Sequence, residues 1–146
     1  MKNSKAFTLI ELIFVIIVLG ILSAIALPKF TSTGTQARIA SGKADVMAIR
    51  SAIISERQER LIRGEKNYIT ASNLDNGGLF GGVLTYPKQN SNTSGNWYAA
   101  TTGSGTYQYN IDGTNVQFDY NSSTGTFTCT SGSSTQAQKY CRQMIY

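Results

Sequence analysis

The 146-residue chain contains no histidine, only two cysteines and two prolines, and only 14% charged residues. An average soluble domain has roughly 25% charged residues. The absence of histidine excludes His-based acid–base catalysis and the usual His-containing zinc sites. Two cysteines cannot build an all-cysteine zinc site or a cysteine-rich scaffold. With no candidate nucleophile–base pair either, the sequence predicts a protein that is not an enzyme and needs no cofactor.

The few charged residues are unevenly distributed and leave a long apolar stretch near the N-terminus. Residues 12–27 read LIFVIIVLGILSAIAL, sixteen positions without a charge. Counted from Phe7 the stretch has 21 residues. A helix of that length is about 31 Å long, close to the roughly 30 Å of a bilayer core. Because Lys2 and Lys5 precede it, the positive-inside tendency predicts a single pass with a cytoplasmic N-terminus.

The apolar stretch has two interpretations, and they differ in how they account for Glu11, which lies near its start. A secretory signal peptide is one, because Ala24-Ile25-Ala26 fits the small-x-small cleavage pattern. The apolar run is longer than the roughly 7–15 residues usual in such signals. A carboxylate at the centre of a bilayer costs about 2.5–3.5 kcal/mol, less near an end, and such residues tend to be functional. We therefore favour a retained membrane helix in which Glu11 has a role.

The residues around Glu11 show a family resemblance. Residues 5–30, KAFTLIELIFVIIVLGILSAIALPKF, resemble the N-terminus of type IV pilins and pseudopilins. The Phe-Thr-Leu-Ile-Glu string followed by an apolar run is the specific part, and the rest matches only in general architecture. The resemblance implies a leader peptide, residues 1–6, which prepilin peptidase cuts between Ala6 and Phe7, and N-methylation of Phe7. Family members usually have glycine where this chain has Ala6.

The resemblance also implies roles for residues of the apolar helix, residues 7–28. The Glu11 carboxylate would pair with the Phe7 amine of a neighbouring subunit and fix the axial register of a filament. That amine is mostly cationic at pH 7. Gly20 and Pro28 match family positions that flank a segment able to unwind in filaments, so a helix break is expected there. Pro28 by itself also predicts a kink at the membrane exit.

Residues 29–63 are predicted to be an amphipathic stalk helix. Over residues 38–63, nine of 26 residues are charged. The apolar residues recur at helical spacing on one side, namely Ile39, Val46, Ile49, Ile53 and, less closely, Leu61. Glu56–Arg60 and Glu59–Arg63 are favourable i,i+4 pairs. The basic residues do not share one face, and acidic residues interrupt them, so we favour a solvated face over a nucleic-acid contact.

Residues 64–146 are predicted to be a polar, β-rich head. Of these 83 residues, 47 are Gly, Asn, Gln, Ser or Thr. Apolar and polar residues alternate in three runs, Tyr107–Ile111, Val116–Tyr120 and Thr126–Thr130. Asp112-Gly113 and Ser123-Thr124-Gly125 supply turns between them. The prediction is an α+β, pilin-like fold in which a three-stranded antiparallel meander packs on the apolar face of helix 39–61.

The connection between helix and sheet, residues 65–105, contains three short apolar pairs. Leu79-Phe80, Val83-Leu84 and Trp97-Tyr98 are predicted to anchor this connection in the core of the head. Trp97 and Tyr98 are also candidates for a surface binding patch, although the core interpretation is favoured. By the resemblance, family members differ most in this region, which implies that it determines partner specificity.

Cys129 and Cys141 lie near the C-terminal end, and a location outside the cytoplasm favours a disulfide between them. A pair of free thiols is the alternative. A C-terminal disulfide also resembles many pilins. Major pseudopilins of general secretion commonly have a calcium loop near the C-terminus instead. Here Asp112 and Asp119 lie on opposite sides of a turn without a dense run of oxygen ligands, so no metal site is predicted.

Asn121-Ser122-Ser123 and Asn92-Thr93-Ser94 are both N-x-Ser/Thr patterns. Asp119, two residues before Asn121, also fits the extended acceptor pattern known in some bacteria. Asn121 is therefore a candidate glycosylation site, although short patterns arise by chance in a chain this rich in Asn, Ser and Thr.

The sequence thus predicts a structural subunit of a type IV pilus-like filament, most simply a pseudopilin of a type II secretion-like system. The alternative is a minor pilin of a surface type IV pilus or of a DNA-uptake pilus. The expected partners are like and unlike filament subunits, the prepilin peptidase, an inner-membrane assembly platform and membrane lipid, without nucleic acid. The expected location is the bacterial inner membrane, with a periplasmic or extracellular head, and the filament after assembly.

Overall fold

The computed structural model describes residues 7–130 and 134–146, without the side chains of residues 27–32. Ala6 and the rest of the expected leader lie outside the described residues. The elements in chain order are α1 (Leu9–Ile62), α2 (Ala71–Leu74), β1 (Trp97–Tyr98), β2 (Thr106–Ile111), β3 (Thr114–Asn121), β4 (Thr126–Cys129) and α3 (Thr135–Ile145). The chain divides into two compact units, Met1–Gln36 and Ala37–Tyr146.

In the single chain α1 continues as one helix through Gly20 and Pro28, and the break expected there in an assembled filament stays a prediction. Glycine costs about 1 kcal/mol and proline about 3 kcal/mol in a helix interior. Proline removes only one backbone hydrogen bond, so a long helix is able to continue past it. The helix ends at Ile62, and Gly64, two residues later, has a φ of 85°. There the Gly64 N–H donates to the Leu61 carbonyl at 3.0 Å, a glycine cap.

The head contains a four-stranded antiparallel sheet in the order β1-β2-β3-β4. The three predicted strands are confirmed as β2, β3 and β4, and β1 adds a short strand on the β2 edge. β2 and β3 are joined by Asp112-Gly113, with φ values of 51° and 84°. Positive φ at both positions defines the type I′ turn that matches the twist of a two-residue hairpin. The Asp-Gly signal therefore set the register of this pair correctly.

The core of the second unit lies between the sheet and one side of α1. The predicted residues Ile39, Val46, Ile49 and Ile53 are all buried, whereas Leu61 is 51% exposed and does not join the core. The contact is closest at Gly42, where an added Cβ would lie 2.6 Å from Tyr109 Cε1 and from Met144 Cε. The aromatic residues of the core form one contact cluster that consists of Phe80, Trp97, Tyr107, Tyr109, Phe118 and Phe127.

The C-terminal helix α3 is an element that the sequence analysis did not predict. Ser134 caps it, and the Ser134 hydroxyl accepts a hydrogen bond from the Ala137 N–H at 3.1 Å. Its buried residues, Ala137, Tyr140, Cys141 and Met144, recur at spacings of three and four. That spacing and the serine cap are ordinary helix signals, which the surrounding Gly, Ser and Thr residues obscured. The head is therefore closed by a helix that packs on β3.

Candidate assembly surface

The first part of α1 is an apolar helix that nothing in the described chain covers. The window Leu9–Ala26 has a mean hydropathy of 2.9, and none of it is buried. Phe14, for example, is 67% exposed. By length and composition this window is able to cross a membrane. Such an uncovered surface requires either lipid or the helix of another molecule around it.

Glu11 takes part in a hydrogen-bonded cap at the start of this helix. Its Oε2 accepts hydrogen bonds from the Thr8 N–H at 3.1 Å and from the Thr8 hydroxyl at 3.0 Å. The Glu11 N–H in turn donates to the Thr8 Oγ1 at 3.3 Å. This reciprocal arrangement is a capping box, which satisfies donors that the first helical turn leaves open. The Thr-x-x-Glu spacing is the sequence signal of this box, although the box was not among the features predicted above.

The second part of α1 turns an uncharged face outward. From residue 37 to residue 58, the most exposed residues of the helix are uncharged, and its charged residues are partly exposed. Met47 and Ile54 are 54% and 58% exposed, and Leu61 follows them at the same spacing of seven. We call this surface the outer face, and it comprises Ala40, Ala44, Met47, Ala48, Ser51, Ile54, Ser55, Gln58 and Leu61. Exposed faces of surface helices are normally charged, so a face of this kind indicates a contact with another helix or subunit.

Many of the charged residues of α1 are used instead to hold the head against the helix. Asp45 accepts hydrogen bonds from Lys88 Nζ at 2.7 Å and from Trp97 Nε1 at 3.0 Å. Arg50 Nε donates to the Phe127 carbonyl at 2.9 Å. These contacts tie the connection and the β4 edge to the helix, which accounts for the position of the charges beside the core rather than on the outer face.

Several basic residues of the second unit form ion pairs within the chain. Arg38 forms an ion pair with Asp112 at 2.6 Å. Arg60 forms ion pairs with Glu56 at 2.8 Å and with Glu65 at 2.7 Å. The i,i+4 pair Glu56–Arg60 is therefore present as predicted. Arg38 and Arg60 thus have carboxylate partners within the chain.

The connection between α2 and the sheet is organised by one carboxylate, that of Asp75. Its Oδ1 accepts hydrogen bonds from the Phe80 N–H at 3.2 Å and the Tyr107 hydroxyl at 3.0 Å. Its Oδ2 accepts from the Gly103 N–H at 2.7 Å. Burial, followed by the negative charge of Asp75, raises the pKa of Tyr107. No sequence motif identified Asp75, because two of its three donors, Gly103 and Tyr107, are distant along the chain.

The three predicted anchor pairs of this connection are buried to different extents. Leu79 and Phe80 are buried in the core, and Trp97 is 1% exposed. Val83 and Leu84 are partly buried and pack against the core. The alternative of a surface patch is therefore wrong for Trp97. Tyr98 is half-buried on β1.

Cys129 and Cys141 form a disulfide that joins β4 to α3. The Cα atoms of the two cysteines are 6.0 Å apart. Cys141 is one of the buried residues of α3, so the disulfide fixes the closing helix on the sheet. Within residues 7–130 and 134–146, no group of three or more His, Cys, Asp or Glu side chains could hold a metal ion.

Comparison with known proteins also finds a match at the N-terminus of the chain. Residues 1–27 match the family described as the prokaryotic N-terminal methylation motif. The chain is 50% identical over 50 residues to the type IV narrow pilus major component PilA5 of Thermus thermophilus, which is 34% of this chain and 43% of that protein. It is 38% identical over 52 residues to the type II secretion system core protein G of Pseudomonas aeruginosa, 36% of this chain and 37% of that protein.

A protein of Pseudomonas aeruginosa named fimbrial protein is also 38% identical over 52 residues, which are 36% of this chain and 34% of that protein. The chain thus spans less than half the length of these curated relatives. No solved structure matches the chain. The relatives therefore include both pilus and secretion components, and the similarity is confined to part of each protein.

Proposed function

We propose that this chain, which has the prokaryotic N-terminal methylation motif over residues 1–27, is a structural subunit of a type IV pilus-like filament. The observation that supports this most strongly is the apolar helix Leu9–Ala26, none of which is buried in the described chain. A subunit stored in the membrane and then packed into a filament has its apolar helix surrounded by lipid first and by other subunits later. A structural subunit needs no catalytic side chains, and the sequence contains no histidine.

Maturation of such a subunit begins with removal of the leader. We infer that prepilin peptidase cuts between Ala6 and Phe7 on the cytoplasmic side of the inner membrane and that Phe7 is then N-methylated. Phe7 is 80% exposed and precedes the first turn of α1. The new N-terminus is therefore accessible to both reactions. The head would lie in the periplasm, and an inner-membrane platform would move the subunit into the filament.

Glu11 would select the axial position of each subunit. Both hydrogen bonds from Thr8 go to Oε2 of Glu11, and Oε1 accepts none from the described residues. A carboxylate accepts about four hydrogen bonds. The capping box thus holds the carboxylate at the helix start while Oε1 stays open to the Phe7 ammonium of a neighbouring subunit. An unpaired charge in an apolar environment is costly, so subunits out of register are disfavoured.

The replacement Glu11→Gln tests this role, because glutamine also forms a capping box but has no charge. We expect the variant to insert and to lose its leader normally, yet to be absent from the filament fraction sheared from cells. Thr8→Ala is the matched control, since it removes the cap and retains the carboxylate. Filaments of Glu11→Gln in normal amount would contradict the charge pairing.

Within this class we favour a pseudopilin of a type II secretion-like system. The head is small and has a single, simple stalk helix, and a secretion component is among the relatives. A surface pilin is the alternative, which the similarity to pilus components keeps open. Deletion of the gene followed by separate measurement of protein secretion and of surface filaments distinguishes them. Loss of secretion with surface filaments intact supports the pseudopilin assignment, and the converse supports a pilin.

A further inference from the structure

We propose that Asn121 is an acceptor for an N-linked glycan, on the hairpin between β3 and β4. This modification goes beyond filament assembly and relies on the proposed function only for the location of the head outside the cytoplasm. Asn121-Ser122-Ser123 has the acceptor pattern, and Asn121 is the exposed last residue of β3. The conformation of the hairpin favours modification of Asn121 beyond what the sequence pattern alone indicates.

The side chain of Asn121 is held in a turn that presents its nitrogen. Asn121 Oδ1 accepts a hydrogen bond from the Ser123 N–H at 2.9 Å. This is an Asx turn, and it connects the first and third residues of the acceptor pattern. Among the described residues Asn121 Nδ2 has no hydrogen-bond partner. The carboxamide is thus fixed through its oxygen while the nitrogen that would be glycosylated remains available.

The rest of the loop holds this turn in place. The Gly125 N–H donates to the Asn121 carbonyl at 2.8 Å. Gly125 has a φ of 70° and packs so closely on the Tyr68 ring that a side chain would not fit there. Ser122 and Ser123 border an open cleft of about 480 Å³. A transferase therefore meets an accessible and preformed acceptor, with the Ser123 hydroxyl beside open space.

The second acceptor pattern of the chain, Asn92-Thr93-Ser94, lacks this arrangement. Asn92 Oδ1 accepts a hydrogen bond from Asn110 Nδ2 at 3.1 Å, so its side chain belongs to the contact between the connection and β2. Asn110 is only 6% exposed. The two asparagines share a sequence pattern but differ in conformation, which makes Asn92 an internal control.

An acidic residue also lies beside the acceptor. Asp119 is two residues before Asn121 on β3, and side chains at i and i+2 of a strand share a face. Its Oδ2 accepts a hydrogen bond from the Thr130 hydroxyl at 2.7 Å, which fixes its position. Its side chain is held on the same face as the acceptor, as the extended pattern requires.

The transfer step needs no oxidant or reductant. A polyprenyl-diphosphate-linked oligosaccharide supplies the sugar, and an oligosaccharyltransferase supplies a carboxylate base. A bond forms between Asn121 Nδ2 and the anomeric carbon of the sugar, and the bond from that carbon to the diphosphate oxygen breaks. One Nδ2 proton passes to the base, and the lipid diphosphate leaves.

The test is mass spectrometry of the full-length chain, purified from the membranes of its own cells and digested. We expect the peptide with Asn121 to have the additional mass of an oligosaccharide and the peptide with Asn92 to be unmodified. Ser123→Ala should abolish the added mass, because it removes the hydroxyl of the pattern and keeps the N–H that forms the turn. Ser123→Thr should retain it.

An unmodified Asn121 in the wild-type chain, or an added mass that persists in Ser123→Ala, would overturn the proposal. Digestion of spheroplasts with an external protease reports separately on the location of the head. An accessible head with an unmodified Asn121 contradicts only the glycan. A protected head contradicts the proposed function as well, because the acceptor would then never meet the transferase.

Discussion

At the scale of single residues, Phe80 and Asp75 make tertiary contacts that the local sequence does not predict. Phe80 has a φ of 60°, a left-handed conformation that costs a non-glycine residue about 1–3 kcal/mol. Its N–H is bound to Asp75 and its ring packs against Trp97 and Tyr107. The strain is therefore offset by tertiary contacts, and Asp75 is the residue on which several of them depend.

Asp75→Asn should destabilise the head by about 1–3 kcal/mol. An amide has one acceptor oxygen and directs its NH₂ group at a backbone N–H, so one donor, of Phe80 or of Gly103, would lose its partner. Urea denaturation of residues 37–146 measures the change. Asp119→Asn is the control, since the Asp119 donors are side chains of Gln117 and Thr130 that are free to reorient. Equal effects of the two replacements would contradict the role of Asp75.

The buried tyrosines predict how stability changes at high pH. Burial raises the pKa of Tyr107, Tyr109 and Tyr120 above the ordinary value near 10. The folded state therefore keeps phenol protons that the unfolded chain releases, so stability is constant below about pH 10 and falls above it. Denaturation midpoints from pH 8 to 12 test this. Tyr107→Phe should make the fall shallower, and an unchanged slope would exclude Tyr107 as a contributor.

At the scale of elements, α1 presents different surfaces to different partners. Its inner side is apolar and buried by the sheet, and charges beside the core bind the connection and β4. The most exposed residues of its outer face are uncharged between residues 37 and 58, and the described chain leaves them uncovered. We infer that a second subunit covers this face in the filament, since a solvated helix face would normally be charged.

Ile54→Glu tests the outer face. Ile54 is 58% exposed, so a charge there should change the stability of the isolated subunit by no more than about 0.5 kcal/mol. In the filament the same charge would be buried without a partner, and we expect a severe loss of sheared filaments at unchanged protein level.

Two controls accompany this replacement. Ile54→Val keeps the face apolar, and Thr102→Glu places a charge at an exposed position of the turn that precedes β2. Both should assemble normally. Normal assembly of Ile54→Glu would show that the outer face is not an interface between subunits.

At the scale of the whole molecule, only the second of the two units has a buried apolar core. Every buried apolar side chain of the described residues lies at Ile39 or beyond it. The outer face is about 33 Å long by the helix rise and about 10 Å wide. Its area of roughly 300 Å² is well below the roughly 800 Å² per partner of a stable complex. Association through this face thus needs the other contacts of a filament.

Residues 37–146 alone should therefore be soluble, folded and monomeric. Sedimentation equilibrium and circular dichroism of this fragment test the prediction. Reduction of the disulfide between Cys129 and Cys141 should lower its unfolding free energy by about 2–5 kcal/mol. A stable dimer of the fragment would mean that the head itself holds the subunits together, and the role assigned to the apolar helix would then be wrong.

The sequence by itself determined the apolar helix, the inner side of α1, three strands and the turn at Asp112-Gly113. Each depends on local spacing, a turn signal or a motif within about ten residues. Only the tertiary structure decided the place of β1, the role of Asp75, the packing of α3 on the sheet and the uncovered outer face. These features depend on contacts between segments distant in the chain, and such contacts leave no local period. Leu61 fitted the helical pattern only loosely, and the structure places it on the outer face with Met47 and Ile54, where it is 51% exposed.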